Sequence, residues 1–204
     1  MAEPYSLTGK HVLVTGAGSG IGRLMALGSA QRGATHLVLW DINLAAAKAV
    51  AKEVEGLGAS ALAMSVDVSK KSAVATAATK VLEKIGHLDV LVNNAGVVSG
   101  QTLLDLDEKD ITHTYNVNTF ALYWTTQAFL PSMLERDAGR LVTIASAAGL
   151  AGSARQTDYS ASKHAAVGFM EALRAELRDS GSSVTTLTVN PLYINTAMFD
   201  GVKS

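Results

Sequence analysis

A doubly wound α/β fold, with one parallel sheet in the strand order 3-2-1-4-5-6 covered by helices on both faces, is predicted from two observations. Short apolar runs alternate with stretches of helical period along the whole chain. Short apolar strands alternating with helices imply a parallel sheet covered on both faces. The first run feeds a glycine-rich turn that opens the first helix. At 204 residues, with no linker, low-complexity tract or shift in composition, a single domain over 1–204 is expected.

Residues 10–15 form the first apolar run and end at the glycines; residues 21–32 then carry apolar side chains at helical spacing and stop at Gly33. Residues 36–40 make the next strand, closed by Asp41, and the Ala- and Lys-rich stretch 44–55 ends at Gly56. Strand 60–66, helix 70–85 and strand 88–93 follow. A long helix is expected over about 107–135, broken by Pro131 near its end. Strand 140–145, helix 158–178 and strand 183–190 complete six strands and five helices. Right-handed crossovers then place helices on both sheet faces.

Composition narrows the function. Hydrophobic residues at 48%, charged residues at 17% and a net charge of −1 lack the basic excess that nucleic-acid binding needs. No cysteine is present, which excludes disulfides, thiolate metal sites and a cysteine nucleophile. Residues 1–9 are polar and contain Pro4, and no apolar run approaches the roughly 18 residues of a membrane helix. A cytoplasmic protein without a membrane anchor is therefore expected. The five histidines are scattered and show no ligand spacing, so no metal site is expected, and His164 reads as a surface residue. The acidic run Asp105, Asp107, Glu108 and Asp110 suits a helix start and carries no chemistry. Trp124 and Phe129 read as core or subunit contact.

The turn Thr15-Gly16-Ala17-Gly18-Ser19-Gly20-Ile21-Gly22 links a strand to a helix, where free N–H groups and the positive helix end attract a pyrophosphate. Gly16, Ser19, Gly20, Ile21 and Gly22 are the candidate contacts, although the spacing departs from Gly-x-Gly-x-x-Gly and a plain tight turn is the alternative. Asp41, nineteen residues after Gly22, can accept both ribose hydroxyls and repel a 2′-phosphate, which favours NAD over NADP. It can also serve only as a helix cap. Arg23, just past the glycines, can soften that preference. Asp67 and Val68 follow the third strand and are placed beside the adenine, with a turn role open for Asp67.

Tyr159 and Lys163 stand four residues apart, one helical turn, and Ser146 lies thirteen residues before the tyrosine. A free tyrosine has a pKa of about 10, so action as a base near pH 7 requires a shift worth about 4 kcal/mol. A lysine ammonium at about 4–5 Å supplies roughly 3–4 kcal/mol of it. The spacing thus predicts a lowered Tyr159 pKa and an acid/base role for the phenol. Ser146 ends a strand on the ligand side of the sheet and can hydrogen-bond a substrate oxygen. Asn118, a poor helix former in mid-helix, can mark a backbone distortion and a water leading protons to Lys163.

Thr15-Gly16-x-x-x-Gly20-x-Gly22, Asn93-Asn94-Ala95-Gly96, Asn118, Ser146 and Tyr159-x-x-x-Lys163 together resemble the short-chain dehydrogenase/reductase family, in its NAD-linked branch, over nearly the whole chain. The resemblance implies a Rossmann fold and a catalytic tetrad of Asn118, Ser146, Tyr159 and Lys163, with Lys163 also touching the nicotinamide ribose. It implies that Asn94, Ala95 and Gly96 line the adenosine side and that Ile194 and Thr196 reach the nicotinamide carboxamide. Stretches 40–43, 93–100 and 124–131 are similar to the retinol and 17β-hydroxysteroid dehydrogenase branch, implying a bulky lipophilic alcohol or ketone substrate. Members of that branch often carry an N-terminal membrane anchor, and none is read here. Two departures stand out. The family's Pro-Gly after the sixth strand is Pro191-Leu192 here, and the sequence ends at Ser204, where relatives continue through a substrate lid, a seventh strand and a closing helix. Either a tail lies outside these residues or the pocket is open. A homodimer or homotetramer pairing through the long helices is implied. The rival expectation is a catalytically silent dinucleotide-binding regulator or scaffold.

Overall fold

The computed structural model describes residues 5–192 and 194. Strands β1 (His11–Thr15), β2 (His36–Asp41), β3 (Ser60–Ser65), β4 (Val90–Asn93), β5 (Arg140–Ile144) and β6 (Thr185–Val189) form one sheet in the order β3-β2-β1-β4-β5-β6. Every pairing is parallel. Helices α1 (Gly20–Gln31), α2 (Leu44–Gly56), α3 (Lys71–Ile85), α4 (Glu108–Tyr115), α5 (Ala121–Glu135) and α6 (Thr157–Asp179) make the crossovers. The predicted fold class and strand order are those observed.

The apolar strands are explained by two cores. Side chains alternate along each strand: Leu13 and Leu91 join one buried cluster, while Val12, Val14, Val90 and Val92 join the other. The first cluster draws on α3, α5 and α6 through Val81, Phe129 and Met170; the second draws on α1 and α2 through Ala26 and Val50. Phe129 is fully buried with its ring centroid 5.7 Å from that of Trp40, which fixes α5 to β2.

The predicted helix over 107–135 differs from expectation in where it is interrupted. Pro131 lies within α5 and does not break it. The carbonyl that loses its partner belongs to Gln127, which is exposed, so water can satisfy it. The irregularity lies instead at Asn116–Phe120, a π-helical turn centred on Asn118. A short 3₁₀ turn at Ala147–Gly149, absent from the sequence reading, joins β5 to α6. Asp107 caps α4 by accepting the Asp110 N–H at 2.8 Å, the role expected of that acidic run.

Histidines scattered in sequence are not all scattered in space. His11 and His36 are register partners at the start of β1 and β2, and His87 lies just before β4. Parallel strands begin at one edge of the sheet, which brings the three together. Among the described residues no helix is long and apolar enough to cross a membrane.

Candidate active site

The carboxyl ends of β1, β2, β4 and β5 open into a cleft of about 510 Å³. Gly16, Ser19, Gly20, Ile21, Asp41, Asp67, Val68, Asn94, Ala95, Gly96, Ser146, Tyr159, Lys163 and Ile194 all line it. Gly22 and Asn118 stand behind the lining, and Thr196 lies outside the described residues. A cleft past the carboxyl edge, where the strand order reverses, is where this architecture holds ligands.

The glycine turn is shaped by backbone demands. Gly16 and Gly20 have φ of +63° and +50°, the left-handed region that favours glycine. A Cβ on Gly22 would lie 2.1 Å from the Gly16 carbonyl oxygen and 2.6 Å from Asn94 Nδ2. Gly22→Ala is therefore expected to cost roughly 3 kcal/mol or more of stability, read as a lower urea midpoint. Helix α1 starts with no side-chain cap and no acidic residue in its first turn, so its N–H groups and positive end face the cleft uncompensated. Thr15 Oγ1 accepts the Asn94 and Ala95 N–H groups, both at 3.0 Å, and Asn94 Nδ2 donates to the Thr15 carbonyl at 2.8 Å. The Asn-Asn-Ala-Gly segment is thereby locked to the turn.

Asp41 is not the cap of α2. That cap is Asn43, whose side chain accepts the Ala46 N–H at 3.1 Å. Asp41 instead accepts the N–H groups of Gly18 and Asn43, each at 2.8 Å, and presents its carboxylate to the cleft. Arg23 is turned away from the cleft lining into a two-point ion pair with Glu53 on α2. Asp67 binds the Ser69 N–H at 3.1 Å in a turn and also lines the cleft.

Ser146 continues β5 in extended conformation and caps the 3₁₀ turn through Oγ, 3.1 Å from the Ala148 nitrogen. The turn packs on α6 at Gly149, where a Cβ would lie 2.7 Å from the Lys163 carbonyl oxygen. This close approach brings Ser146 into hydrogen-bond contact with the Tyr159 side chain. Asn118 is buried; its Oδ1 accepts the Val97 N–H at 2.8 Å and its Nδ2 donates to the Val97 carbonyl and to Ser162 Oγ. The π-turn thus ties the segment after β4 to the tyrosine's helix.

The electrostatics differ from the expectation drawn from spacing. Burial raises the Tyr159 pKa above its usual value, and the Ser146 hydrogen bond only partly offsets this. Burial lowers Lys163 to about 8. Lys163 Nζ sits 5.6 Å from the tyrosine ring centroid and donates to the Ile144 carbonyl at 2.9 Å. Helical spacing set the two on one face but does not report desolvation, which here dominates both groups. The phenol in this state holds its proton and is a donor.

Sequence reasoning missed Asp158. It is buried beside Tyr159 in the first turn of α6 and accepts from Ser99 Oγ at 2.8 Å and Thr114 Oγ1 at 2.7 Å, pinning the start of that helix to α4. Its partners are 59 and 44 residues away, so no local pattern marks it. Ile42, Val97, Val117, His113 and Leu192 also line the cleft. Leu192, the departure from Pro-Gly, is 82% exposed at the cleft. His164 is exposed and bonded to the Ser160 carbonyl, as a surface histidine.

A family model described as short chain dehydrogenase matches residues 10–204. Retinol dehydrogenase 10-B of Danio rerio is 42% identical over 97% of this chain and 65% of its own length. Estradiol 17-beta-dehydrogenase 11 of Mus musculus is 45% identical over 94% of this chain and 64% of its own length. The chain thus spans just under two thirds of these relatives. Among solved structures, a short chain dehydrogenase/reductase from Burkholderia phymatum in complex with NAD superposes with a TM-score of 0.92 at 33% identity, covering 97% of this chain and 70% of that one. A metagenomic short-chain oxidoreductase in complex with NADP gives 0.85 at 35% identity, over 92% of this chain and 84% of that one.

Proposed function

The chain belongs to the short-chain dehydrogenase family, and on that premise we propose that it is an NAD-dependent oxidoreductase interconverting an alcohol and a ketone, with Tyr159 as the acid/base. The observation that carries this reading is the convergence of Ser146, Tyr159 and Lys163 on the same cleft as the glycine turn and Asp41.

A nicotinamide dinucleotide fits these residues. The uncapped start of α1, with Ser19, Gly20 and Ile21 on the cleft, would hold the pyrophosphate; Asp41 would take the ribose hydroxyls; Asp67, Val68, Asn94, Ala95 and Gly96 would flank the adenosine; Lys163 and Ile194 would lie at the nicotinamide end. Bound there, it supplies the hydride donor or acceptor. In reduction, Tyr159 gives its phenolic proton to the substrate oxygen while Ser146 Oγ hydrogen-bonds that oxygen and stabilises the charge developing on it. In oxidation the Tyr159 phenolate, stabilised beforehand by the Lys163 ammonium, takes the proton back from the hydroxyl. The distorted turn at Asn118 would hold a water that returns protons through Lys163. Similarity to retinol and estradiol dehydrogenases, with Val97 and Leu192 on the cleft wall, supports a bulky lipophilic substrate.

The preference for NAD rests on the Asp41 carboxylate, which would repel a 2′-phosphate, and on Arg23 being held by Glu53. Asp41→Asn keeps an acceptor oxygen for one of the Gly18 and Asn43 N–H groups, turns its amide nitrogen to the other, and removes the charge. It is expected to raise the NADP:NAD ratio of kcat/KM by roughly tenfold or more, about 1.4 kcal/mol of relieved repulsion. A ratio unchanged in steady-state assays with both cofactors would remove Asp41 from cofactor choice.

A further inference from the structure

The amino-terminal edge of the sheet, at the other end of the strands from the cleft, holds a cluster that the proposed chemistry does not use. His11 opens β1, His36 opens β2, and His87 and Asp89 immediately precede β4. The His11 ring centroid lies 4.4 Å from that of His36 and 4.4 Å from that of His87. One potential ligand atom from each of His11, His87 and Asp89 lies within 4.8 Å of the others. His87 Nε2 is 3.4 Å from Asp89 Oδ2, close to the roughly 3.3 Å between two donors of a tetrahedral ion bound at about 2.0 Å.

Two further contacts organise the cluster. His11 Nδ1 is 3.0 Å from the His87 carbonyl oxygen, which can only accept, so Nδ1 carries the proton and Nε2 keeps a lone pair. A ring N–H given to a backbone carbonyl is the arrangement that commonly orients ligating histidines. Asp89 is only 4% exposed, and its two oxygens are engaged differently. Oδ1 faces Arg136 at 3.2 Å and Lys10 at 3.7 Å; Oδ2 accepts the His11 backbone N–H at 2.9 Å and faces His87.

We propose that His11, His87 and Asp89 form a binding site for a borderline divalent transition metal such as Zn²⁺, tying the amino-terminal ends of β1 and β4 together. The nearby Arg136 and Lys10 disfavour a hard cation held by charge and oxygen alone. Imidazole nitrogens favour an ion bound through donor character. His36, its ring tilted 60° against that of His11 with centroids 4.4 Å apart, is a further nitrogen donor beside the cluster. The site stands apart from the cleft, so its occupancy is read independently of turnover.

The test is calorimetric titration of the full chain, free of any affinity tag, with ZnCl₂ at neutral pH, alongside thermal unfolding with and without the metal. One saturable site and a raised Tm are expected. His87→Asn should weaken binding by roughly tenfold or more and abolish the Tm shift, with far-UV circular dichroism unchanged. His164→Asn, on the exposed face of α6, should leave both unchanged. Lys10→Gln, which removes a partly exposed cation beside Asp89, should tighten binding and provides a second test should His87→Asn fold poorly. MgCl₂ should produce no shift. Absence of saturable Zn²⁺ binding, equal binding by His87→Asn, or an equal response to Mg²⁺ would overturn the assignment.

Discussion

Tyr159→Phe is expected to lower kcat by roughly 10²–10⁴-fold while NADH affinity stays within about threefold of wild type. In the proposed chemistry the phenol is the proton donor at the substrate oxygen, and its ring also fills space: Tyr159 is 4% exposed, so phenylalanine preserves the packing and removes only the hydroxyl. The hydrogen bond with Ser146 is lost along with it. Steady-state turnover with a lipophilic ketone, paired with NADH fluorescence titration, separates the two effects. Near-wild-type turnover would mean that another group moves the proton.

Lys163→Met is expected to abolish turnover and to make the fold more stable at neutral pH. The folded lysine has a pKa lowered to about 8 by burial, from 10.5. That difference corresponds to about 3 kcal/mol of burial cost, less about 1 kcal/mol for the hydrogen bond to the Ile144 carbonyl. A net gain of about 2 kcal/mol is expected at pH 7. The sign follows from proton binding. Between about pH 8 and 10.5 the unfolded lysine keeps its proton while the folded one loses it, so the wild type gains stability as pH rises through that window. The methionine variant lacks this gain, and its advantage should shrink from pH 7 to pH 9.5. Urea unfolding at the two pH values measures it; a variant less stable than wild type at pH 7 would show that the lysine's contacts outweigh its burial.

The sheet was legible because β1, β2 and β4 are predominantly apolar and α1, α2 and α3 end at or within two residues of a glycine, signals that act within a few residues. Gly16, Asp41, Ser146, Tyr159 and Lys163 were legible for a related reason: each is fixed by its position at a strand end or on a helix face, and the topology then carries it to the cleft. What stayed hidden depends on burial or long-range contact. Pro131 reads as a helix breaker only if its lost partner is shielded from water, and Gln127 is exposed. The direction of the Tyr159 and Lys163 shifts is a matter of desolvation, which spacing does not encode. Asp158 and the His11, His87 and Asp89 cluster join residues from separate elements, and only the register of a parallel sheet and the packing of α6 on α4 bring them together. Asn118 falls between these cases: a poor helix former pointed to a distortion, while its bonds to Val97 and Ser162 required the fold.

The most direct test of the proposed chemistry is the fate of the hydride. The chain is incubated with NADH carrying deuterium at the transferred position of C4 and a panel of lipophilic ketones, retinoid and steroid among them, and the products are analysed by mass spectrometry. One deuterium per turnover on the carbinol carbon is the expected result, with Tyr159→Phe giving almost none. Tight NADH binding with no deuterated alcohol from any ketone would contradict it and identify a dinucleotide-binding protein without turnover.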